Sequence, residues 1–264
     1  MQGNSTFFII THQPLTVKIP FPHRVIGVEG FTPDPSEGTA AAKVISRALD
    51  YETAFGGMRS LMAMNEELDS LPDSTQVFMG SYRLFLGRET QSDWLSPIMQ
   101  ENMIISPEQL ATRWEELVAT EIPDGVDMLI PAPRLLPDTV LGQYARVHHL
   151  DDLLFGVACA IRSGLLNPLS VPMMLSTPTL IPYGLFAARK NIRYEFNKRL
   201  WSCALEFYKH YHIPRFGYQR RAIDFVFERV VSMAIVQMIT EKGLRCLSCR
   251  NIFVSASGKY EQSV

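Results

Sequence analysis

The densest group of titratable side chains in the sequence is His148-His149-Leu-Asp151-Asp152. If a helix begins there, His149 and Asp152 are three residues apart and share one face of it. On a shared face, Asp152 could fix the tautomer of the imidazole or could itself serve as a general base. Acidic residues in a first helical turn are also favoured by the helix dipole, so a structural role stays open.

A second group of charges lies on the long apolar segment 218–242. Five charged residues fall close together on it: Arg220, Arg221, Asp224, Glu228 and Arg229. The apolar residues around them occupy nearly every helical face, which predicts a largely buried helix, and charges on such a helix must be paired or must face a ligand. Two interpretations follow: an internal network of ion pairs, or an arginine that faces phosphate and is held by the neighbouring carboxylates.

Two shorter motifs complete the set of candidates. A predicted strand over residues 75–79 leads into Gly80-Ser81-Tyr82-Arg83, and open α/β sheets bind ligands just past the carboxyl ends of their strands. Cys246-Leu-Ser-Cys249 is a single CxxC motif without the second pair or nearby histidine that zinc would need, so no metal site is predicted. No P-loop, GxGxxG, GxSxG or HExxH pattern is present.

Alternating strands and helices are predicted for the first two thirds of the chain. Strands are predicted at residues 7–11, 24–28, 75–79 and 126–130, with a further extended stretch at 180–187. Helices are predicted at residues 39–68 with an interruption at Gly56-Gly57, from the capping box Ser106-Pro107-Glu108-Gln109 to about 120, and at 139–147, 149–163, 192–211 and 218–242. This order predicts an α/β fold with a mostly parallel sheet, in one domain with a helical C-terminal region.

Composition and charge limit the classes of function. The chain has 264 residues, of which 47% are hydrophobic and 20% charged, and four cysteines are too few for a disulfide scaffold. Without an apolar run long enough to cross a bilayer or a secretory signal, the sequence predicts a cytoplasmic protein. Residues 1–152 carry a net charge of −11 and residues 153–264 a net charge of +9. The basic half, densest between residues 189 and 221, either docks on the acidic half or attracts phosphates or an anionic surface.

Taken in chain order, the motifs resemble a bacterial glycosyltransferase family first catalogued as a domain of unknown function, whose members occur in capsule and lipopolysaccharide gene clusters. The family's stretches read approximately THKP, HYRRYF, DxIxP, HHxxDL, YNMFIM and QxRxxGFxxER. The corresponding residues here are Thr11-His12-Gln-Pro, Ser81-Tyr82-Arg83-Leu-Phe85, Asp127-Met-Leu-Ile-Pro131, His148-His149-Leu-Asp151-Asp152-Leu, Tyr183-Gly-Leu-Phe186 and Gln219-Arg220-Arg221 with Glu228-Arg229. The match is collinear over about residues 7–240.

The resemblance implies a single Rossmann-like nucleotide-diphosphosugar transferase domain of the GT-A type, with a donor-binding α/β region at residues 1–187 and a helical C-terminal region at 188–264. It implies transfer of a hexose, with a UDP-sugar favoured, to a capsule, O-antigen or lipooligosaccharide acceptor. That acceptor would be free or lipid-linked at the inner face of the cytoplasmic membrane, where peripheral association is allowed, and nucleic acid is not expected as a partner.

The resemblance also assigns roles to residues. The base is expected from Asp152 with His149, and the donor site from Thr11, His12, Tyr82, Arg83, Asp127, Arg220, Arg221 and Glu228. Where metal-dependent enzymes of this architecture place Asp-x-Asp, this chain has Ser81-Tyr82-Arg83, so we expect Arg83 to neutralise the diphosphate without a metal, although Mn²⁺ or Mg²⁺ stays allowed.

The sequence departs from the family pattern at Ser81, Leu84 and Gly184. These departures leave an alternative open. The chain could be a catalytically degenerate protein that binds a sugar nucleotide or acts as a scaffold in the same pathway.

Overall fold

The computed structural model describes residues 5–15, 17–28, 30–40, 58, 60–91, 102–211, 216, 219 and 221–255. Within these residues the strands are β1 Ser5–Thr11, β2 Arg24–Gly27, β3 Gly38–Ala40, β4 Gln76–Ser81, β5 Leu84–Gln91, β6 Asn102–Ile105, β7 Met128–Pro131, β8 Arg134–Leu135, β9 Thr179–Leu180, β10 Ala187–Arg189 and β11 Cys246–Val254. The helices are α1 Ser60–Asp69, α2 Pro107–Leu117, α3 Val140–Val147, α4 Leu150–Arg162, α5 Val171–Leu175, α6 Lys190–His210 and α7 Ala222–Lys242. None of these helices is long and apolar enough to cross a membrane.

Nine of the strands form one mixed sheet in the order β10-β7-β11-β5-β4-β1-β2-β3, with β6 paired to β11, while β8 and β9 pair separately. The β1–β2, β1–β4, β2–β3, β6–β11 and β7–β11 pairs are parallel. Strands β5 and β10 are antiparallel to their neighbours on both sides. Seven strands therefore run in one direction and two run against them, so the predicted parallel sheet is present but interrupted.

Both faces of the sheet are covered, because successive side chains of a strand point to opposite faces. In β1, Phe8 packs against α1 on one face, while Phe7 and Ile9 pack on the other face in the cluster that includes Leu110 of α2. The largest apolar cluster joins α3, α4, α6 and α7 to β7 and β10. These covered faces explain why the strands read as continuous apolar runs rather than as alternating ones.

Several local predictions are confirmed. Ser106 caps α2 by accepting a hydrogen bond from the backbone N–H of Gln109, whose side-chain oxygen accepts a bond from the Ser106 backbone N–H. The helices predicted at 139–147 and 149–163 correspond to α3 and α4, whose N-cap residues are Thr139 and His149. Four of the predicted strands correspond to β1, β2, β4 and β7 within one or two residues at each end.

Other predictions are wrong in part. Residues 38–40 form strand β3 rather than the start of a helix, whereas Ser60–Asp69 are helical as predicted; residues 41–57, which include Gly56 and Gly57, lie outside the described residues. The stretch 180–187 is split between β9 and β10 by a turn at Tyr183-Gly184. Strand β5 was not predicted, because the Tyr82-Arg83 turn that precedes it lacks the glycine, asparagine or aspartate that usually marks a two-residue hairpin.

The C-terminal region is helical through α6 and α7, but Cys246–Val254 returns to the sheet as β11, between β5 on one side and β7 and β6 on the other. The CxxC pair lies within this strand. Cys246 packs in the cluster of α3, α4, α6 and α7, and Cys249 packs in the cluster on the other face. Residues three apart on a strand point to opposite faces, so the two thiols serve the core.

Candidate functional site

The carboxyl ends of the seven codirectional strands point to one edge of the sheet, here called the carboxyl edge. Since β5 and β10 run in the opposite direction, their amino ends reach this edge as well. The carboxyl edge therefore collects the residues that follow β1, β4, β7 and β11 together with those that precede β5 and β10. Side chains from distant parts of the sequence come together there.

The first group at this edge is built on Tyr82 and Arg83, which form the two-residue turn between β4 and β5. Their backbone is held in place because the Arg83 carbonyl accepts a hydrogen bond of 2.9 Å from the Val254 N–H. The Arg83 guanidinium carbon lies 5.3 Å from the centre of the Tyr82 ring. The His12 ring meets the same tyrosine edge-on, with 5.5 Å between ring centres. Three of the predicted donor-site residues are thus in one place.

Thr11 stabilises the loop that follows β1 and carries His12. Its side chain is buried, and its Oγ1 donates to the Gln13 carbonyl at 2.6 Å and accepts from the Gln13 N–H at 3.2 Å. The Thr11 carbonyl accepts from the Val28 N–H at 2.9 Å, which ties the loop to the end of β2. Thr11 therefore shapes the loop that presents the exposed His12.

The second group contains Arg134 and Tyr183, neither of which was named as a candidate. Arg134 Nη2 donates to the Tyr183 hydroxyl at 2.8 Å, and the guanidinium carbon lies 5.6 Å from the ring centre. The Tyr183 ring contacts Phe253 edge-on at 5.6 Å, and Phe253 pairs with Leu84, the residue after Arg83. Phe253 thus connects the two arginine–tyrosine groups. Arg134 could have been found by the rule that drew attention to Arg83, because it follows the carboxyl end of β7.

The turn that carries Tyr183 has an unusual backbone. Tyr183 has a φ of 65° and Gly184 a φ of 62°, both in the left-handed region. Asparagine and glycine are the residues that tolerate this region best, so glycine at position 184, where the resembling family has asparagine, keeps the backbone requirement. A non-glycine residue such as Tyr183 in this conformation is strained, and such residues are found at functional sites.

Helix α7 passes over this turn. Ser232 Oγ accepts a hydrogen bond of 2.8 Å from the Ile181 N–H, and a side chain at Gly184 would meet Val231 at 3.2 Å. Glu228 is three and four residues before these contacts and so lies on the same face of the helix. Its side chain is 26% exposed and bonds the Nη1 of Arg229 at 2.6 Å.

Arg229 is buried and connects α7 to α3. Its Nη2 donates to Gln143 Oε1 at 2.9 Å, its Nη1 also reaches the Phe225 carbonyl at 3.3 Å, and its guanidinium lies 5.4 Å from the centre of the Tyr144 ring. The predicted stripe of charges on α7 is therefore resolved into two ion pairs. Glu228 pairs with Arg229, whereas Asp224 pairs with Arg221 at 3.2 Å.

His148 and His149 lie on either side of the point where α4 begins, and their surroundings differ. His149 is exposed and makes no side-chain capping bond, while Asp152 is completely buried, so the predicted pair does not present a common exposed face. His148 is the histidine that enters a polar cluster. Its ring stacks on Phe225 with 4.1 Å between centres and lies 4.8 Å from the Tyr144 ring.

The electrostatics of His148 follow from this position. Burial lowers the pKa of His148, and Arg229 acts in the same direction, while the bond to Gln219 and the charges of Glu228 and Asp152 partly oppose them. The imidazole is therefore held towards its neutral form, which can accept a proton.

The remaining predicted residues lie elsewhere. Asp127 precedes β7, at the opposite edge of the sheet, where its carboxylate accepts from the Arg245 N–H at 2.9 Å. Arg221 is exposed at the start of α7, with its guanidinium 5.6 Å from the Phe225 ring centre. Arg220 lies outside the described residues. The structure therefore separates Asp127 from the other donor-site candidates.

The donor atoms at the carboxyl edge suit an anion better than a cation. The two groups contribute guanidinium and phenol groups, which match phosphate, whereas Mg²⁺ and Mn²⁺ prefer carboxylate and carbonyl oxygens. In the part of the chain that the structure describes, no three His, Cys, Asp or Glu side chains form a group that could hold a metal ion.

Comparison with known proteins gives one informative likeness. No family model matches the sequence, and no curated protein matches it. Among solved structures, the apo structure of the bifunctional glycosyltransferase WbbM superposes with a TM-score of 0.72 at 13% sequence identity. The superposition covers 95% of this chain and 45% of the WbbM chain. The chain thus shares its fold with a part of WbbM, and it spans less than half of the length of the WbbM chain.

Proposed function

We propose that the chain is a glycosyltransferase, which transfers a sugar from a nucleotide-diphosphate donor to a glycan acceptor. The observation that carries this proposal is that Arg83 and Arg134 both lie at the carboxyl edge, each beside a tyrosine ring. The likeness in fold to WbbM and the sequence motifs support the same class of reaction.

The chemistry of the transfer explains why two arginines would be used. The acceptor hydroxyl oxygen forms a bond to the anomeric carbon, and the bond from that carbon to the diphosphate oxygen breaks, leaving its electron pair on the diphosphate. Negative charge therefore grows on the leaving group, and guanidinium groups fixed by packing stabilise that charge without reorganising. Arg83 and Arg134 would bind the diphosphate, while Tyr82 and His12 would line the nucleotide side.

The finer parts of the proposal rest on the resemblance of the motifs. They are a UDP-linked hexose as donor, and a capsule, O-antigen or lipooligosaccharide chain as acceptor, free or lipid-linked at the inner face of the cytoplasmic membrane. A bound Mn²⁺ or Mg²⁺ is not needed by the proposal, because the arginines would neutralise the diphosphate.

The test is a thermal-shift titration with uridine, guanosine, cytidine and thymidine diphosphates and their sugars, each with Mn²⁺ or with excess chelator. A ligand that binds only the native state raises the melting temperature. We expect one base class to raise it in chelator. Arg83→Ala and Arg134→Ala should each weaken that binding by about tenfold to a hundredfold, because a hydrogen bond to a charged group contributes about 1.5–3 kcal/mol.

Arg245→Ala is the matched control, because this exposed arginine lies at the opposite edge of the sheet. It should leave nucleotide binding unchanged. If no nucleotide binds the wild-type protein, the scaffold alternative replaces the proposal. Binding that strictly requires Mn²⁺ would refute the role of the arginines in place of a metal, and binding without product formation would leave a sugar-nucleotide-binding protein.

A further inference from the structure

The buried side chain of Arg193 has more hydrogen-bond donors than partners. It extends from the first turn of α6 and is 1% exposed. Its Nη2 contacts the Met79 sulfur at 2.7 Å, and its guanidinium carbon lies 3.9 Å from the centre of the Phe186 ring. Among the residues that the structure describes, its Nε and Nη1 have no hydrogen-bond partner and no carboxylate pairs with it. Three of the five N–H groups of the guanidinium, one on Nε and two on Nη1, are therefore open.

Met79 connects this guanidinium with the carboxyl edge. It is two residues before Ser81, the last residue of β4, so both side chains lie on the same face of the strand. Ser81 is paired with Ile10 of β1. Ile10, Met79 and Ser81 are all partly exposed, whereas Val77, which is earlier on the same face, is completely buried. This face of the sheet therefore opens to solvent towards the carboxyl edge, and the side chain of Met79 touches both the opening and Arg193.

A buried asparagine pair beside Arg193 is also short of partners. Asn65 Nδ2 on α1 donates to the Tyr194 carbonyl at 3.2 Å, so its Oδ1 is the atom that accepts from Asn197 Nδ2, at 3.0 Å. Asn197 Oδ1 is then left without a partner among the described residues, on the same face of α6 as Arg193 and one turn later. A water molecule between Arg193 and Asn197 would satisfy hydrogen bonds there, but it would leave the positive charge uncompensated.

The surroundings of Arg193 lack a counter-ion. Burial lowers the pKa of Arg193 to about 9, so the guanidinium is still charged at neutral pH. The Phe186 ring attracts the cation but does not neutralise it. A phosphate or carboxylate group would accept several of the open N–H groups and would bring the missing negative charge. The side chain of Met79 is unbranched and has three rotatable bonds, so it can turn aside to admit such a group.

We propose that Arg193 binds an oxyanion of a substrate, which enters beside Met79 at the carboxyl ends of β1 and β4. The oxyanion comes from one of two sources: the diphosphate of the donor or the carboxylate of an acidic sugar. The choice of these sources rests on the proposed glycosyltransferase function, whereas the anion site itself does not. The buried charge lowers the stability of the free protein, and it contributes to binding because the ligand supplies the counter-ion that the fold lacks.

The first experiment is a thermal-shift titration with inorganic pyrophosphate and with glucuronate, each at constant ionic strength. The proteins are the wild type, Arg193→Met and Arg199→Met. Arg199→Met is the matched control, because it removes one positive charge from a half-exposed position on the same helix. We expect one anion to raise the melting temperature of the wild type and of Arg199→Met. Arg193→Met should bind that anion about tenfold to a hundredfold more weakly, because a charged hydrogen bond is lost.

The second experiment tests the route past Met79. Phenylglyoxal, which modifies accessible arginines, should label Arg193 slowly in the wild type and faster in Met79→Ala, as measured by mass spectrometry of the peptides. The anion that binds should slow the labelling of Arg193 in Met79→Ala. Equal labelling rates in the two proteins, or labelling that the anion does not slow, would contradict the proposed route.

The outcomes distinguish this inference from the proposed function. A loss of pyrophosphate binding in Arg193→Met assigns the site to the diphosphate, and a loss of glucuronate binding assigns it to an acidic sugar. If nucleotide sugars bind the wild type but neither anion distinguishes Arg193→Met from Arg199→Met, only the role of Arg193 is overturned. If no nucleotide binds the wild type, but one anion stabilises it and not Arg193→Met, the glycosyltransferase function fails and the anion site stands.

Discussion

Replacing the buried Arg193 by methionine should stabilise the protein. Arg193 lies on α6 with 1% of its surface exposed, and its Nε and Nη1 have no hydrogen-bond partner among the described residues. Its Nη2 contacts the Met79 sulfur at 2.7 Å, and its guanidinium carbon is 3.9 Å from the centre of the Phe186 ring. A full positive charge is thus buried beside a thioether and an aromatic ring.

The magnitude follows from the cost of burial. Desolvation lowers the pKa of Arg193 from 12.5 to about 9. That difference corresponds to about 5 kcal/mol against the charged form in the folded protein. The interaction of a desolvated cation with an aromatic ring offsets about 2 kcal/mol of this cost. After losses from imperfect repacking, Arg193→Met should therefore increase the free energy of unfolding by about 1–3 kcal/mol. For a chain of this size the melting temperature should rise by roughly 2–4 °C per kcal/mol.

The assay is urea and thermal unfolding of the wild type, Arg193→Met and the control Arg199→Met. Arg199 is on the same helix but half-exposed and paired with Glu195 at 2.7 Å, so its replacement should change stability by about 0.5 kcal/mol or less. Between about pH 9 and 12.5 the folded Arg193 loses its proton while the unfolded chain keeps it, so the advantage of Arg193→Met should shrink as the pH rises through this range. If Arg193→Met lost more than about 2 kcal/mol while Arg199→Met did not, the reasoning would be refuted, because the charge would then be compensated.

Three further predictions concern the turn, the thiols and the cap. Gly184→Ala should lower the free energy of unfolding by about 1–2 kcal/mol, and Gly184→Asn should lower it clearly less. Both substitutions add the same Cβ near Val231, but asparagine tolerates the left-handed backbone. Equal losses in urea unfolding would show that the contact with Val231 causes the destabilisation instead. All four cysteines are buried, and burial raises the pKa of Cys249 to about 12, so none should react with Ellman's reagent within minutes at pH 8, whereas all four should react in urea; a fast native thiol would contradict this. Ser106→Ala should lower the free energy of unfolding by about 1 kcal/mol, and a loss below about 0.2 kcal/mol would show that the capping box contributes little.

Local signals in the sequence were sufficient for much of the fold. The capping box at Ser106 was predicted because it depends on residues within one helical turn. Strand β11 was missed because Cys246–Val254 follows the longest apolar helix, and nothing in its own residues shows that it inserts between strands more than a hundred residues earlier in the chain. Its place is set by long-range pairing, which local patterns do not encode.

In the candidate site too, local patterns revealed some features, whereas others depend on long-range packing. Tyr82 and Arg83 were found because they follow a recognisable strand. The choice of His149 with Asp152 stays a prediction, but the spacing did not show that His149 is exposed while His148 stacks on Phe225. That difference depends on the packing of α3 against α7, and the spacing of residues 148–152 alone could not reveal it.

The two strands that run against the others explain why a search for residues that follow strands finds only part of the carboxyl edge. In a wholly parallel sheet, every residue that lies at the carboxyl edge follows the end of a strand. Here β5 and β10 bring residues that precede a strand to the same place: Arg83 both follows β4 and precedes β5, whereas Tyr183 reaches the carboxyl edge only because it precedes β10. The strain of the left-handed Tyr183 belongs to this arrangement, because the chain must turn tightly at the edge to enter β10 against its neighbours. In mixed sheets of this kind, residues immediately before an antiparallel strand should therefore be examined as site candidates together with those after a parallel one.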